Sequence, residues 1–158
     1  MNTFRWGNID NPDVFIDYNT YRTTLVLRLR KQFAELAGQL LSEGRRDSAL
    51  QVLHRAEEVL APPRFPNDVY TPALAEVYFQ AGDYSAGNRL LLDYAEDIRQ
   101  DLAYIIGLEK SAGSLQDEEA GQELTILTEM IRLLEQYEQA EPAARIGQMI
   151  NQLMETGS

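Results

Sequence analysis

The feature of this sequence that most constrains its fold is an ordered spacing of large and small residues that occurs twice. One copy is centred on Gly44 and the other on Gly82, 38 residues further along the chain. Glycine adopts the left-handed conformation that ends a helix without steric penalty, so each copy predicts two helices joined by a tight turn. The copies are Phe33-x2-Leu36-Ala37-x2-Leu40, Gly44, Ala49-x3-Leu53-x2-Ala56 and Thr71-x2-Leu74-Ala75-x2-Tyr78, Gly82, Gly87-x3-Leu91-x2-Tyr94.

This spacing matches the tetratricopeptide repeat, a helix–turn–helix unit of about 34 residues. The proline-rich stretch APPRFPND supplies the extra residues between the two copies. Small residues such as Ala37, Ala75 and Gly87 let paired helices approach closely. Gly87 is informative because a glycine inside a free helix costs roughly 1 kcal/mol relative to alanine. A third, degenerate copy without a turn glycine runs from Leu127 through Leu134 and Ala143 to Ile150.

The predicted fold is therefore all-α, with tetratricopeptide-like antiparallel helical hairpins, about six helices and an irregular N-terminal lead-in. The alternative is a generic six-helix bundle. We expect residues 1–18 to form the lead-in, with large aromatic side chains docked on one globular helical domain that spans residues 19–158. The lead-in combines Asn, Asp and Pro turn signals with Phe4, Trp6, Phe15 and Tyr18 and has no helical period.

Hydrophobic periodicity and breakers set the expected helix limits. The six predicted helices span about 19–43, 47–60, 68 or 72 to 81, 84–106, 114 or 117 to about 134, and 142 to about 154. The first is expected to bury one stripe, Leu25, Leu29, Phe33, Leu36 and Leu40. Ser114 and Asp117 resemble a capping pair, and Pro142 suits the first turn of the last helix.

Charge argues against nucleic acid as a partner. The net charge is −11, and residues 65–158 carry five Lys and Arg against seventeen Asp and Glu. Such a surface repels phosphate backbones, whereas nucleic-acid binding needs clustered cations. There is no cysteine, and the N-terminus lacks the apolar stretch of a signal peptide. The apolar runs fall short of the roughly 20 residues that span a bilayer.

Catalytic and metal-binding patterns are weak throughout the sequence. His54, the single histidine, stands near Glu57 and Glu58, but a zinc site needs three or four convergent ligands. We interpret it as a surface or half-buried helix residue. No phosphate-binding loop, dinucleotide-binding motif or nucleophile elbow is found. We therefore expect a noncatalytic chain without cofactor or metal.

Two acidic groups allow a divalent cation as an alternative to simple solvation. Asp93, Asp97 and Asp101 repeat every four residues along one helix with Glu96 beside them, and we expect Arg89 and Arg99 to offset them as intrahelical pairs. The group Asp10, Asp13 and Asp17 lacks the ligand alternation, central glycine and distal glutamate of a calcium loop. Turn and cap roles are the preferred interpretation there.

Tetratricopeptide arrays usually bind partners on the concave side, which the first helix of each repeat lines. The candidate groove would use Lys31 and Leu41, with Ala34 and Gly38 beside them, and from the next repeat Glu76, Phe79 and Gln80. Phe79 would be its apolar anchor. Ordinary packing of Phe79 against a neighbouring helix is the alternative.

Three stretches together resemble a known family. FRWGNIDNPDVFIDYNTYR, LRKQFAELAGQLLSEGRRDSALQVL and PNDVYTPALAEVYFQAGDYSAGNRLL are similar to the soluble C-terminal tail of a bacterial family of multi-pass membrane proteins of unknown function, related to protein O-mannosyltransferases. The similarity runs from about Phe4 to Leu153. It implies a membrane-embedded catalytic portion upstream, so no catalytic residue is carried over here. By analogy with related sugar transferases, the tail would belong to an inner-membrane protein and would face the periplasm.

These observations predict a noncatalytic helical-repeat interaction or scaffold domain of a membrane glycosyltransferase-like protein. Its partner would be a protein or peptide, possibly the membrane-embedded part of its own parent chain. The alternative is a free-standing, cytoplasmic, peptide-binding adaptor of the tetratricopeptide type.

Overall fold

The structure is a computed structural model that describes residues 25–62, 65–109 and 115–156, together with Asp13 and Asp17. Within these residues the secondary structure is helical throughout. The helices are α1 (Leu27–Ser42), α2 (Arg46–Val59), α3 (Thr71–Gln80), α4 (Tyr84–Glu109), α5 (Leu115–Gln136) and α6 (Ala140–Thr156).

The predicted all-α architecture is confirmed, and most helix limits agree within a few residues. Pro142 lies in the first turn of α6, as expected, and α2 ends at Val59, before the prolines. Helix α4 continues to Glu109, three residues beyond the expected end. The predicted start of the first helix near Asn19 and the capping role of Ser114 fall outside the described residues, as does the lead-in of residues 1–18 apart from Asp13 and Asp17.

The chain divides into two compact units, Met1–Ala81 and Gly82–Ser158. In the first unit, α1 packs against both α2 and α3, and α3 also contacts α2. In the second unit, α4, α5 and α6 all pack against one another. The single globular unit with a docked lead-in stays a prediction. So does the close approach of Gly87 to Ala75, although Gly87 itself is buried.

Gly44 ends α1 through two reverse hydrogen bonds that fit the Schellman motif. The Arg45 N–H donates to the Leu40 carbonyl and the Gly44 N–H to the Leu41 carbonyl, both at 2.9 Å. The motif requires a left-handed residue, and Gly44 has φ +73°. Gly82 stands at the same place in its turn, the second of three residues between helices, with φ +77°. Both predicted turn positions are confirmed.

Glu138 provides a third turn of this kind between α5 and α6. The Gln139 N–H donates to the Leu134 carbonyl at 2.8 Å and the Glu138 N–H to the Glu135 carbonyl at 3.0 Å. Glu138 has φ +58° and is the one non-glycine residue with positive φ among those described. The degenerate third repeat therefore keeps the turn geometry without the glycine that normally permits it.

The buried stripe of α1 differs from the predicted one. Leu25 and Leu36 are 41% and 50% exposed, while Leu29 and Phe33 are partly buried. The residues that α1 buries are Arg30, Ala34, Ala37 and Leu40, and Val26 just before the helix is also buried. Because α1 packs against two helices at once, small side chains suit its centre, and larger leucines are displaced to its flank.

Arg30 connects α1 to the loop between α2 and α3. Its guanidinium is 3% exposed and donates to the Leu60 carbonyl at 3.2 Å, the Phe65 carbonyl at 3.3 Å and the Pro66 carbonyl at 3.1 Å. The same group forms a buried ion pair with Asp68. Arginine suits this role because its planar guanidinium group carries five N–H donors and stays positively charged.

Asp68 passes this connection on to α3. One carboxylate oxygen accepts from Arg30 and the other accepts from the Tyr70 N–H at 2.8 Å. The Asp68 N–H donates to Thr71 Oγ1 at 3.0 Å, and the Thr71 N–H donates to the Asp68 carbonyl at 2.8 Å. A side chain of α1 is thus connected, through Asp68, to the first residue of α3.

An apolar cluster surrounds the ion pair. Val26, Val59, Leu60 and Phe65 are all at most 6% exposed and form one buried group, with Leu29 and Phe33 packed against it.

In the second unit the core comes from three helices, with Leu91, Leu127, Leu134 and Ile146 fully buried. The side chain of Asn88 on α4 donates to Gln139 Oε1 at 2.7 Å and so ties α4 to the third turn.

We expect Arg30→Met to lower the free energy of unfolding by about 3–5 kcal/mol, because it leaves the buried Asp68 carboxylate and three carbonyls without their donor. Urea denaturation measures this change. Arg30→Lys is expected to recover only part of the loss, because an ammonium group cannot reproduce the planar arrangement of donors.

Lys31→Met is the matched control on the same helix. Lys31 is 54% exposed and lies 3.6 Å from Glu35, an arrangement worth little in water. Its unfolding free energy should stay within about 0.5 kcal/mol of wild type. Asp68→Asn should cost less in the Arg30→Met background than in wild type, and additive effects would contradict the coupling.

Glu138→Gly should stabilise the protein by up to about 1 kcal/mol, since it relieves left-handed strain in an exposed residue. Gly44→Ala should destabilise by a similar amount. An added Cβ at Gly44 would meet no atom within 4 Å, so the cost would come from the backbone alone. Paired urea curves check both signs, and a destabilising Glu138→Gly would refute the strain argument.

Candidate binding face

The surface that α1 and α3 share is the structural counterpart of the predicted groove. The two helices approach closely near Gly38, where an added Cβ would lie 4.0 Å from Val77 Cγ2. On the same two helices, Lys31 and Glu35 of α1 are exposed, Glu76 of α3 is half-buried and Gln80 of α3 is exposed. We define these four side chains as the α1/α3 face.

The predicted groove residues have different outcomes. Lys31 and Gln80 are at the surface, while Leu41 and Glu76 are half-buried. Phe79 is 2% exposed, so it is not the open apolar anchor proposed for the groove; the packing alternative fits it. Ala34 is likewise buried, at 6% exposure. Helix α3 has only ten residues and buries six of them, so little of its surface is left for an apolar anchor.

The other side of α3 is held to α2 by polar contacts. Tyr78 is fully buried, and its hydroxyl donates to Glu57 Oε1 at 2.5 Å. The ring of Tyr78 lies 5.9 Å from that of His54, which is exposed. Arg46 Nε donates to the Ala81 carbonyl at 2.5 Å and so fixes the C-terminal end of α3. These contacts connect α3, and the residue that follows it, to α2.

The acidic stripe of α4 contains the expected intrahelical pairs. Arg99 lies 2.6 Å from Glu96, and Arg89 lies 3.9 Å from Asp93. Hydrogen bonds from Arg99, and then from Gln100, together with the positive charge of Arg99, lower the pKa of Glu96 to about 2 against a small opposing effect of burial. Asp93 and Asp101 of the stripe are exposed to solvent, and Arg89 and Arg99 neutralise part of its negative charge.

His54 and the two acidic groups are the residues whose types could bind a metal ion. Among the residues that the structure describes, no group of three or more His, Asp or Glu side chains is arranged to hold a metal ion. Asp13 and Asp17 are exposed, and Asp10 falls outside the described residues. None of the described helices combines the length and the apolar character needed to cross a bilayer.

Sequence reasoning missed the Arg30–Asp68 pair, although both residues carry a recognisable signal. Arg30 sits between apolar residues at helical spacing, and Asp68 lies shortly before α3, in a region where Asp is common because its carboxylate accepts from exposed backbone N–H groups. Neither signal identifies the partner, since 38 residues separate Arg30 from Asp68.

Comparisons with the known protein families, the curated proteins and the solved structures found no match.

We expect the Glu96 carboxyl to titrate near pH 2 in a carbon-detected NMR titration, well below an ordinary glutamate. Arg99→Ala should raise this pKa towards its usual value, while Arg132→Ala, on a different helix, should leave it unchanged. A lowered folded-state pKa contributes stability above the unfolded value that is lost as the pH falls towards 2. An unshifted Glu96 in wild type would contradict the Arg99 contact.

Proposed function

We propose that this chain is a noncatalytic helical-repeat domain that binds polypeptide through the α1/α3 face. The observation that carries the proposal is that α3 buries its large apolar side chains and keeps polar side chains at its surface. Its large apolar side chains, including Tyr78 and Phe79, are buried. Four of its positions are not buried, and beside the small Pro72 and Ala73 these are the polar Glu76 and Gln80. This leaves a recognition surface on a helix that its neighbours hold in place.

The chemistry of the face suits an extended polar segment. Lys31 offers a cation, Glu35 and Glu76 offer carboxylates, and Gln80 offers both a donor and an acceptor. With Phe79 buried, affinity would come from hydrogen bonds and charge complementarity. Such contacts give specificity and modest affinity, which suits a scaffold that engages its partner transiently.

The proposed biological setting is the soluble C-terminal part of a membrane glycosyltransferase-like protein, with the periplasm as its compartment. This rests on the resemblance of the three stretches quoted above. In that setting the bound polypeptide is the membrane-embedded body of the parent chain or an acceptor polypeptide. A free-standing adaptor would use the same face, and hydrophobic spans encoded upstream of Met1 would separate the two settings.

Selection of random peptides against the purified chain, followed by NMR titration, tests the proposal. Selected peptides should perturb amide signals around Lys31, Glu35, Glu76 and Gln80. Lys31→Glu and Glu76→Lys should each weaken binding by about five- to tenfold, as expected for charged contacts worth about 1–1.4 kcal/mol.

Arg132→Glu is the control for charge. Arg132 is 76% exposed on α5, in the other unit, and this change should leave affinity unaltered. Peptide signals confined to other surfaces would refute the α1/α3 face. Reproducible glycosyl transfer by the purified chain, abolished by a point substitution within it, would refute the noncatalytic assignment.

A further inference from the structure

A second surface of α1 carries an apolar stripe that the proposed function does not use. Leu36 is 50% exposed, and Leu29 is partly buried against the apolar cluster. Leu25, two residues before α1 begins, continues the stripe and is 41% exposed. Gly38 faces α3. At 100° per residue, Leu36 lies about 160° around the helix from Gly38, so the stripe is on the flank opposite α3.

The stripe has the spacing of a coiled-coil seam. Leu25, Leu29, Gln32 and Leu36 follow one another at intervals of four, three and four residues, which is the alternation that keeps side chains facing a second helix. Gln32 is exposed at its centre. A polar residue in an otherwise apolar seam is typical of positions that fix register and partner orientation.

Charges beside the stripe define the orientation of a partner helix. Arg28 and Glu35 are both exposed and lie seven residues apart along the same edge, where Glu35 also belongs to the α1/α3 face and lies 3.6 Å from Lys31. If two copies of α1 pair in antiparallel fashion about a two-fold axis, Arg28 of each copy stands opposite Glu35 of the other. The same axis places Leu25 opposite Leu36 at both ends and Leu29 opposite Gln32 in the middle.

We propose that this stripe is a self-association surface at which α1 pairs antiparallel with α1 of a second copy of the chain. The contact is isologous, so each favourable pair occurs twice. The seam is about 18 Å long, since twelve residues rise about 1.5 Å each. An interface of this length is small, and the dimer is accordingly weak and reversible.

Sedimentation equilibrium of the full chain, from low micromolar to near-millimolar concentration, tests the proposal. The wild type should show a concentration-dependent monomer–dimer equilibrium. Leu36→Gln should shift it to monomer by removing the end-to-end leucine pairs. Arg28→Glu and Glu35→Arg should each weaken the dimer about tenfold, because each change replaces two attractions with two repulsions.

Mixing the two single-charge variants is the decisive arm. In an antiparallel pair, an Arg28→Glu chain and a Glu35→Arg chain face each other with opposite charges at both positions, so their mixture should dimerise as wild type does. The double variant Arg28→Glu with Glu35→Arg should also recover. Arg132→Glu, which changes the charge equally in the other unit, should leave the equilibrium unchanged.

A wild-type chain that stays monomeric over the whole series overturns the proposal. A dimer that survives both single reversals, or one whose mixed variants do not recover, overturns the antiparallel α1 pairing. Dimerisation unaffected by Leu36→Gln has the same consequence.

Discussion

The buried pair between Arg30 and Asp68 is the interaction on which the first unit of this protein depends. One guanidinium on α1 serves three carbonyls and a carboxylate of the segment that leads from α2 into α3. A buried charge is expensive to desolvate, so such a pair adds little net stability over a well-packed apolar substitute. We interpret its contribution as positional: it allows one arrangement of the loop, since any other leaves a charge buried and unpaired.

This constraint acts on the connection between α2 and α3, which contains the extra residues of the 38-residue repeat spacing. Three prolines, at positions 62, 63 and 66, remove backbone N–H donors from the segment after α2. Arg30 supplies the donors from outside, and Asp68 then fixes Tyr70 and Thr71 at the start of α3. The position of α3 against α1 follows, and with it the α1/α3 face.

The three turns show a different kind of constraint, one of backbone conformation. Gly44, Gly82 and Glu138 all have positive φ at the second residue of a three-residue connection. Glycine meets this demand at no steric cost, whereas Glu138 meets it against its own preference. The turn between α5 and α6 therefore has the same backbone conformation without the glycine that usually permits it.

The sequence by itself determined the helical architecture and the turn positions, because helix periodicity and the left-handed glycine are local properties of the chain. It also identified Ala37, Ala49, Ala75 and Leu53 as buried, since their spacing around each turn repeats. The sequence pattern wrongly predicted that Leu25 and Leu36 are buried. Helix α1 packs against two neighbours, and hydrophobic periodicity alone does not show which side of the helix they cover. The tertiary structure was needed to show that Arg30 is buried, that Phe79 is core and that α1 packs against α3 near Gly38. Those facts depend on contacts between residues far apart in the chain, and no local pattern specifies which distant partner a side chain will meet.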